Sequence, residues 1–178
     1  VRAEVSEGSG ITGKAYSFDG NSILTADNAG LMTNATEGAT IEAWVKPEND
    51  GVIVKKPGMY SLEYKGDKMQ FTVGGTQTIT TKNKMDEYTK SASFIHVSAV
   101  AASDSLFIYI NDTLEAKEAR TATVSADSTV LVIGDKFKGA IDEVRLWSVP
   151  RDSADVVRDY TRYIIGNETG LEAYYTFD

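Results

Sequence analysis

Two adjacent carboxylates, Asp142 and Glu143, stand in the segment GAIDEVRLW late in the chain. Acidic side chains in a strand can act as general acid and nucleophile, or they can bind a metal ion, so their placement separates these chemistries. Because neighbouring side chains of a strand leave on opposite faces, we expect the two carboxyl groups to lie on opposite sides of a sheet. That geometry disfavours a shared catalytic role.

The one histidine of the chain, His96, lies in the apolar segment FIHVSAV. A lone histidine in a strand is more often a hydrogen-bonded structural residue than a catalytic base, and no Ser-His-Asp arrangement accompanies it. Asp142 carries more information, since we expect it to share a face with Val144 and Leu146 at the edge of the core. A carboxylate there is costly unless it is hydrogen-bonded or bound to a cation.

Short apolar runs with near-alternating polarity, separated by Gly, Asn, Asp and Ser, predict about a dozen antiparallel strands that position these residues. One short peripheral helix is predicted near 153–160, capped by Ser153, and the polar segment 83–92 is predicted to be an exposed loop. The clearest strands are predicted at 13–20, 39–47, 51–56, 59–66, 68–75, 93–102, 105–112, 129–135, 140–148 and 171–178.

The segment ATIEAWVKP shows how such a strand divides its side chains. Ile41, Ala43 and Val45 are predicted to point one way, and Glu42, Trp44 and Lys46 the other, with Pro47 ending the strand. Gly66-Asp67, between two alternating segments, predicts a tight hairpin. Sheets of this kind must cover their apolar faces, so the pattern predicts an all-β fold of two packed antiparallel sheets, a β-sandwich of jelly-roll type.

The bulk composition narrows the class of protein. At 178 residues the chain suits a single domain over residues 1–178, and it has no cysteine to form a disulfide or a thiolate metal site. A net charge of −8 disfavours nucleic acid as a partner, because phosphates attract clustered positive charge. No apolar stretch is long enough for membrane insertion, and the sequence shows no signal peptide, so we expect one to have been removed if the parent protein is secreted.

The segments AYSFDG, IEAWVKP, FIHVSAV, LFIYIND, GAIDEVRLWSVPRD and GLEAYYTFD occur in an order that resembles the laminin-G-like, concanavalin A-like lectin/glucanase jelly rolls of secreted bacterial proteins. The resemblance extends over about residues 11–178. It implies carbohydrate binding, adhesion or an accessory role beside a hydrolase, with glucanases as a catalytic branch. Because one fold serves many functions, the resemblance does not choose between them.

The glucanase branch carries three acids on one strand, in the pattern Glu-x-Asp-x-(x)-Glu. Here Ala140 stands where the first acid would be, and neither Arg145 nor Leu146 can supply the last. The chain is therefore predicted not to be an enzyme. The resemblance also implies a structural Ca²⁺ at the sandwich edge, for which Asp19, Asn21 and Asp142 are the candidate ligands. The alternative is that Asp19 and Asp142 simply accept backbone hydrogen bonds in turns.

A sugar site needs aromatic rings that stack on pyranose faces, together with polar groups that reach hydroxyls. The candidates are Tyr88, Trp44, Tyr60, Tyr64 and Tyr109, and Tyr88 in the polar loop is the most solvent-facing in this prediction. We expect Trp147 to pack against the helix that follows it.

The expected protein is a noncatalytic, lectin-like or adhesion module, extracellular or in the cell envelope, and part of a larger secreted protein. Its partner is then a poly- or oligosaccharide or a surface glycoprotein. A structural or protein-interaction module is the alternative, and a glucanase-like hydrolase is the less favoured one.

Overall fold

The structure is a computed structural model that describes residues 13–26, 31–33, 35–90, 93–162 and 164–178. Residues 1–12, where the predicted domain and the resemblance begin, lie outside the described residues. The described strands are β1 Tyr16–Asp19, β2 Leu24–Ala26, β3 Ala39–Asn49, β4 Gly51–Lys56, β5 Tyr60–Lys65, β6 Lys68–Val73, β7 Gln77–Thr80, β8 Ile95–Ala101, β9 Ser105–Ile110, β10 Thr113–Ala119, β11 Leu131–Ile133, β12 Lys138–Trp147 and β13 Leu171–Tyr175. The described helices are α1 Asp86–Thr89 and α2 Ser153–Asp159.

The strands form two antiparallel sheets, which confirms the predicted β-sandwich. The seven-stranded sheet has the order β1-β12-β3-β8-β9-β10, with β13 also paired to β12, and the six-stranded sheet has the order β2-β11-β4-β5-β6-β7. One main apolar cluster lies between them, with contributions from Ile41 and Val45 of the larger sheet and from Leu62 and Phe71 of the smaller one. The core thus forms where the two apolar faces cover each other.

Strand β3 alternates as predicted. Ile41, Ala43 and Val45 are fully buried in the core, whereas Trp44 on the opposite face is only half-buried. The predicted end at Pro47 is wrong, since β3 continues to Asn49. Pairing with β8 stops at Val45, so beyond that point β3 has no partner on one side among the described residues, and the missing N–H of Pro47 leaves no ladder bond unmade there.

Three strands, β2, β7 and β10, lie outside the ten predicted segments. Each is an edge strand of its sheet. Edge strands keep much of their surface in contact with water, and the exposed pattern of TLEAKEA in β10 shows how little apolar alternation such a strand needs. The predicted hairpin at Gly66-Asp67 is present, with both residues at positive φ and Lys65 paired with Lys68.

The predicted exposed loop 83–92, of which residues 91 and 92 lie outside the described residues, is corrected by the structure. It contains α1, preceded by Met85, which is fully buried and donates its N–H to the carbonyl of Asp67. Burial of Met85, together with packing of Tyr88 against the core, fixes a segment that is otherwise largely polar.

Helix α2 lies where the sequence predicts it, but two details differ. Asp152, not Ser153, caps it by accepting the N–H of Asp155 at 2.8 Å. Val156 is buried while Val157 is 44% exposed, so only one of these two adjacent valines contributes to the buried side of the helix. Neither α1 nor α2 is long and apolar enough to cross a membrane.

Candidate functional site

Strand β12 contains a β-bulge at the carboxylate pair. Asp142 pairs with Trp44 and Arg145 pairs with Glu42, so three steps along β12 match two along β3. The extra residue is Glu143, whose φ of 50° lies in the left-handed region. A bulge resets the alternation of side chains, so Val144 turns into the core and Glu143 does not.

Both carboxylates therefore lie on the outer face of the seven-stranded sheet, the face turned away from the main core. The prediction that Asp142 and Glu143 point to opposite faces is wrong, as is the prediction that Asp142 shares a face with Val144. Asp142 pairs with Trp44, and Glu143 contacts Arg145, and both partners face outward. The physical reason is the bulge, which removes the strict period of two on which the prediction rested.

Neither carboxylate is presented to solvent. Asp142 is fully buried and accepts the N–H of Glu143 at 2.8 Å. Glu143 is 3% exposed, lies 3.4 Å from the guanidinium of Arg145 and accepts a hydrogen bond from the hydroxyl of Tyr174. Burial, and then this hydrogen bond, raises the pKa of Tyr174, so the tyrosine remains the proton donor in its bond to Glu143.

The outer face is built in rows set by strand register. Asp142, Trp44 and His96 form one row, and Arg145, Glu42 and Ser98 form the next. Paired residues of neighbouring strands share a face, so a row of three strands places its side chains side by side. Helix α2 and residues 160–162 lie over these rows and are called the cover below.

Buried ion pairs connect this face to the helix. Glu42 accepts hydrogen bonds from Nε1 of Trp147 at 2.9 Å and from Arg151 at 3.5 Å, and Arg151 also pairs with Asp159. Burial raises the pKa of Glu42, while the charges of Arg151 and Arg145 oppose the shift. Hydrogen bonds from Arg158, and then from Arg151, lower the pKa of Asp159 to about 2 although its partial burial opposes them.

Arg145 holds the end of the cover. Its Nη1 donates to the carbonyl of Asp159 at 2.9 Å and its Nη2 to the carbonyl of Arg162 at 2.8 Å. Carbonyls at the end of a helix have no partner within the helix, so a guanidinium is a suitable donor for them. The apolar contribution of α2 is small, because Val156 is its one member of the minor apolar cluster with Val100 and Tyr109.

His96 lies beneath this cover as a neutral imidazole. Burial, and then the charges of Arg145 and Arg151, lower the pKa of His96 to about 3. Neither ring nitrogen has a hydrogen-bond partner among the described residues, and the same holds for Ser98 Oγ, Glu42 Oε1, Glu143 Oε1 and Arg145 Nε. Buried polar atoms are normally satisfied, so unmet hydrogen-bonding capacity concentrated on one face indicates a place for water or a polar ligand.

Trp44 marks the boundary between covered and open parts of the outer face. Its ring stacks on Tyr160 with centroids 6.2 Å apart and meets His96 edge-on at 5.3 Å, yet the residue remains half-buried. The adjoining row, on the side away from Arg145, holds Lys46, Ala140 and Ser17. Lys46 is exposed and the other two side chains are short, so on this side the partly exposed indole is bordered by one long polar side chain and two small ones.

With this geometry described, comparison with known proteins identifies the family. Residues 18–157 match the family described as concanavalin A-like lectin/glucanases superfamily. The chain belongs to this superfamily. A comparison with curated proteins finds no match.

Solved structures of other proteins share the fold of this chain. A candidate carbohydrate-binding protein from Bacteroides ovatus superposes with a TM-score of 0.66 at 19% identity, over 80% of this chain and 46% of that one. The receptor-binding domain of botulinum neurotoxin mosaic serotype C/D gives 0.68 at 14% identity, over 93% and 46%. A heptameric SAP-like pentraxin from Limulus polyphemus gives 0.53 at 16% identity, over 68% and 69%. The chain thus spans less than half of the first two proteins, and identities this low show the fold alone.

The structure separates the five aromatic candidates of this superfamily member. Trp44 and Tyr109 lie on the outer face, but Tyr109 is buried beneath α2, and Tyr60 is buried in the core with its hydroxyl on the carbonyl of Ala35. The prediction that Tyr60 and Tyr109 present their rings to a ligand is therefore wrong. Both are held by packing, the usual role of aromatic rings in a sandwich.

Tyr64 and Tyr88 are half-buried and belong to a different region. The hydroxyl of Tyr64 donates to Asp67 at 2.9 Å, and that of Tyr88 donates to Glu115. Burial, followed by the bond to Glu115, raises the pKa of Tyr88 to about 12. Tyr88 is thus anchored against the core, not solvent-facing as predicted, because α1 replaces the expected loop. Whether it touches a ligand remains a prediction.

The predicted calcium ligands are not brought together. Asp19 pairs with Lys138, four positions before Asp142 on β12, which separates the two residues by about 13 Å along the strand. Ligands of one Ca²⁺ lie within about 2.6 Å of the ion, so Asp19 and Asp142 cannot share it. Asn21 lies two residues after Asp19, and the described residues contain no group of three His, Cys, Asp or Glu side chains that could hold a metal ion.

Asp19 instead organises its turn. Its Oδ1 accepts the N–H groups of Asn21 and Ser22, each at 2.8 Å, and the hydroxyl of Ser22 at 2.7 Å. These bonds, the one from the Ser22 hydroxyl first, lower the pKa of Asp19 to about 2. Calcium binding by other oxygens stays a prediction, and its check is whether EDTA lowers the melting temperature.

A cleft that the sequence did not predict lies beside Arg120. This cleft has a volume of about 420 Å³ and is lined by Thr36, Glu37, Ser103, Arg120, Thr121, Ala122, Thr123 and Val124. Arg120 donates to the carbonyls of Thr36, Ala102 and Ala122 at 2.9 to 3.0 Å. The guanidinium of Arg120 thus connects the segments around residues 36, 102 and 122, and these structural hydrogen bonds occupy its donors.

Proposed function

We propose that this chain is a noncatalytic carbohydrate-binding module of a secreted or cell-surface protein, and that its sugar site is centred on Trp44. The observation that carries the proposal is the partly exposed indole of Trp44 on the outer face, next to the row of Lys46, Ala140 and Ser17. The description of the Bacteroides ovatus protein as a candidate carbohydrate-binding protein agrees with this proposal.

The chemistry of the site suits a pyranose ring. The C–H face of a sugar packs on an indole, and polar groups at the edge of the ring then accept or donate hydrogen bonds to hydroxyls. Lys46, exposed and paired with Ala140, offers a donor at the open side. A shallow site of this kind binds weakly, with dissociation constants of about 1 mM to 1 μM, and gains strength when several modules act together.

Hydrolysis is disfavoured by burial and neutralisation. A retaining glycosidase places two carboxyl groups about 5 Å apart across an open cleft, where one receives the sugar and the other the proton. Here Asp142 and Glu143 share a face, but both are buried, and the charge of Glu143 is paired with that of Arg145. Burial and charge pairing of the two carboxylates, not strand alternation, are thus the grounds for proposing a noncatalytic module.

The test is a glycan array, with neutral and acidic oligosaccharides and surface glycoproteins, probed with the wild type and Trp44→Ala. We expect Trp44→Ala to weaken binding about fivefold or more, since a stacked ring contributes on the order of 1 kcal/mol. Leu114→Ala, an exposed apolar residue on β10, is the matched control and should bind as the wild type does.

Two further variants locate the site. Tyr88→Ala tests the aromatic residue that the sequence favours, and Thr123→Arg fills the cleft beside Arg120. Loss of binding in either, with Trp44→Ala unchanged, would move the site away from Trp44. Binding of a bare polypeptide with no glycan would favour a protein-interaction module, and sugar release lost in Glu143→Gln would favour a hydrolase.

A further inference from the structure

Tyr160 occupies the position against Trp44 that a stacked ligand would take. It follows the last residue of α2, and its ring lies 6.2 Å from Trp44 with the planes 27° apart, and 5.9 Å from His96. Both Trp44 and Tyr160 are half-buried, so the pair stands at the mouth of the covered region. A phenol ring stacked in this way has nearly the size and flatness of a pyranose.

Behind Tyr160 the hydrogen-bonding capacity of the sheet is unused. His96 lies directly next to Trp44, and both of its nitrogens lack partners among the described residues although the residue is fully buried. The adjoining row adds Ser98 Oγ and Glu42 Oε1, which are likewise unpartnered. Polar atoms that are buried without partners are costly, so a ligand that supplied their hydrogen bonds would bind more tightly.

The cover is attached in a way that permits displacement of its end. Val156 fixes the middle of α2 in a small apolar cluster, whereas the residues at and beyond its end are held through carbonyl groups by Arg145. Tyr160 itself contributes ring contacts with Trp44 and His96. Rotation of the Tyr160 side chain would uncover Trp44 and His96, and release of the two carbonyl groups from Arg145 would extend the opening toward the row of Ser98 and Glu42.

We infer that Tyr160 is a gate over an inner sugar subsite, in which a neutral sugar residue stacks on Trp44 and hydrogen-bonds to His96, Ser98 and Glu42. This inference rests on the proposed function, because it extends the same Trp44 site inward. A neutral imidazole offers one donor and one acceptor, a serine hydroxyl offers both, and a carboxylate oxygen accepts, which matches the vicinal hydroxyls of a hexose.

The subsite selects against acidic sugars. Glu42, Glu143 and Asp159 already stand on this face, and Arg145 and Arg151 are committed to them and to backbone carbonyls. A further carboxylate would have to be buried without a free cation, which is costly. The expected ligand class is therefore a neutral hexose unit, at the end of a chain or as a side branch.

The experiment titrates D-glucose, D-galactose and D-mannose, and the corresponding uronic acids, into the wild type, Tyr160→Ala and Tyr160→Phe. Binding is followed by tryptophan emission, because Trp147 is buried and Trp44 is the tryptophan at the mouth. We expect Tyr160→Ala to bind at least one neutral hexose about tenfold more tightly, the equivalent of about 1.4 kcal/mol. Tyr160→Phe, which keeps the gate ring, should match the wild type, and the uronic acids should gain nothing.

A second variant keeps the inference open to refutation. His96→Phe retains the ring beside Trp44 and removes both nitrogens, so in the Tyr160→Ala background it should abolish the gain. Faster acrylamide quenching of tryptophan emission in Tyr160→Ala, with native circular dichroism, shows that the gate has been removed from a folded protein. Equal or weaker hexose binding by Tyr160→Ala, or a gain that survives His96→Phe, would overturn the gate.

The two proposals fail in different ways. If glycan-array binding depends on Trp44 while Tyr160→Ala brings no gain, the inner subsite is wrong and the outer sugar site stands. If no glycan binds in a Trp44-dependent manner, the proposed function itself is wrong, and the gate falls with it.

Discussion

The two faces of the seven-stranded sheet are built on opposite principles although the same strands form both. The inner face carries Ile41, Val144 and Leu146, all fully buried in one apolar cluster. The outer face is nearly as inaccessible beneath α2, but apart from the small cluster of Val100, Tyr109 and Val156 its buried side chains include many charged and polar groups, several of whose atoms lack partners among the described residues. Burial alone therefore does not reveal what a surface is for, and satisfaction of hydrogen bonds separates the core from the candidate site.

The largest difference between the faces should appear when one buried charge is removed. Arg151→Ala deletes the partner of Glu42 and Asp159 and the guanidinium 4.0 Å from the centre of the Trp147 ring. We expect the free energy of unfolding to fall by about 3–5 kcal/mol in urea denaturation, because a carboxylate remains buried without its cation. Arg151→Met combined with Glu42→Leu should lose less than the single variant, and an equal loss would contradict this account.

On the inner face the expected loss comes from a cavity. Leu146→Ala removes a fully buried side chain next to Ile41 and should lower the free energy of unfolding by about 3 kcal/mol. Ser98→Ala, equally buried on the outer face, should change it by less than about 1 kcal/mol because its hydroxyl has no partner within the described part of the chain. Similar losses for the two variants would mean that the faces do not differ as described.

The outer face should also make stability depend on pH through His96. The unfolded chain takes up a proton at the ordinary histidine pKa of 6.5, whereas the folded chain keeps His96 neutral until its pKa of about 3. Stability is therefore full above pH 6.5 and falls toward pH 3, with a loss of about 2 kcal/mol at about pH 5. Urea titrations at several pH values should show this loss in the wild type, and a matching loss in His96→Phe would refute it.

The smallest effect is expected where β12 leaves both buried layers. Lys138 and Glu48 form an ion pair 3.8 Å long, with both side chains about half exposed. Lys138→Ala should change the free energy of unfolding by less than about 0.5 kcal/mol at physiological salt, since water and ions screen such a pair. A larger change would indicate that charge matters along the whole strand, not only beneath α2.

The sequence was sufficient for the inner face and insufficient for the outer one. The period of two in β3 predicted which side chains enter the core, and α2 was predicted from its own local pattern. The edge strands β2, β7 and β10 were missed because they bury too little to impose alternation. The bulge at Glu143 could not be seen either, since it is a property of pairing between β12 and β3, and it moved Asp142 and Glu143 to one face.

The candidate site was predicted only in part, for the same reason. Trp44 and Asp142 were singled out separately, but their register pairing, and the arrival of Tyr160 from a helix far along the chain, depend on tertiary structure. The arginines that hold the cover gave no sequence signal, because an arginine before or after an acidic residue is common on any surface. The interpretation of His96 as a hydrogen-bonded structural residue is wrong in one respect, because the residue is buried but neither ring nitrogen has a partner among the described residues, which depends on how α2 packs over the sheet.

Strands β1 and β13 lie along the same edge of β12, and the N–H of Lys14 donates to the side chain of Asp178 at 3.2 Å. Residues 14 and 178 therefore lie side by side in the fold. A short linker from residue 178 to residue 13, with new ends cut at the Gly66-Asp67 hairpin, should give a circularly permuted protein with both sheets intact. Such a permutant would leave the Trp44 side of the molecule unencumbered for attachment to a sensor surface.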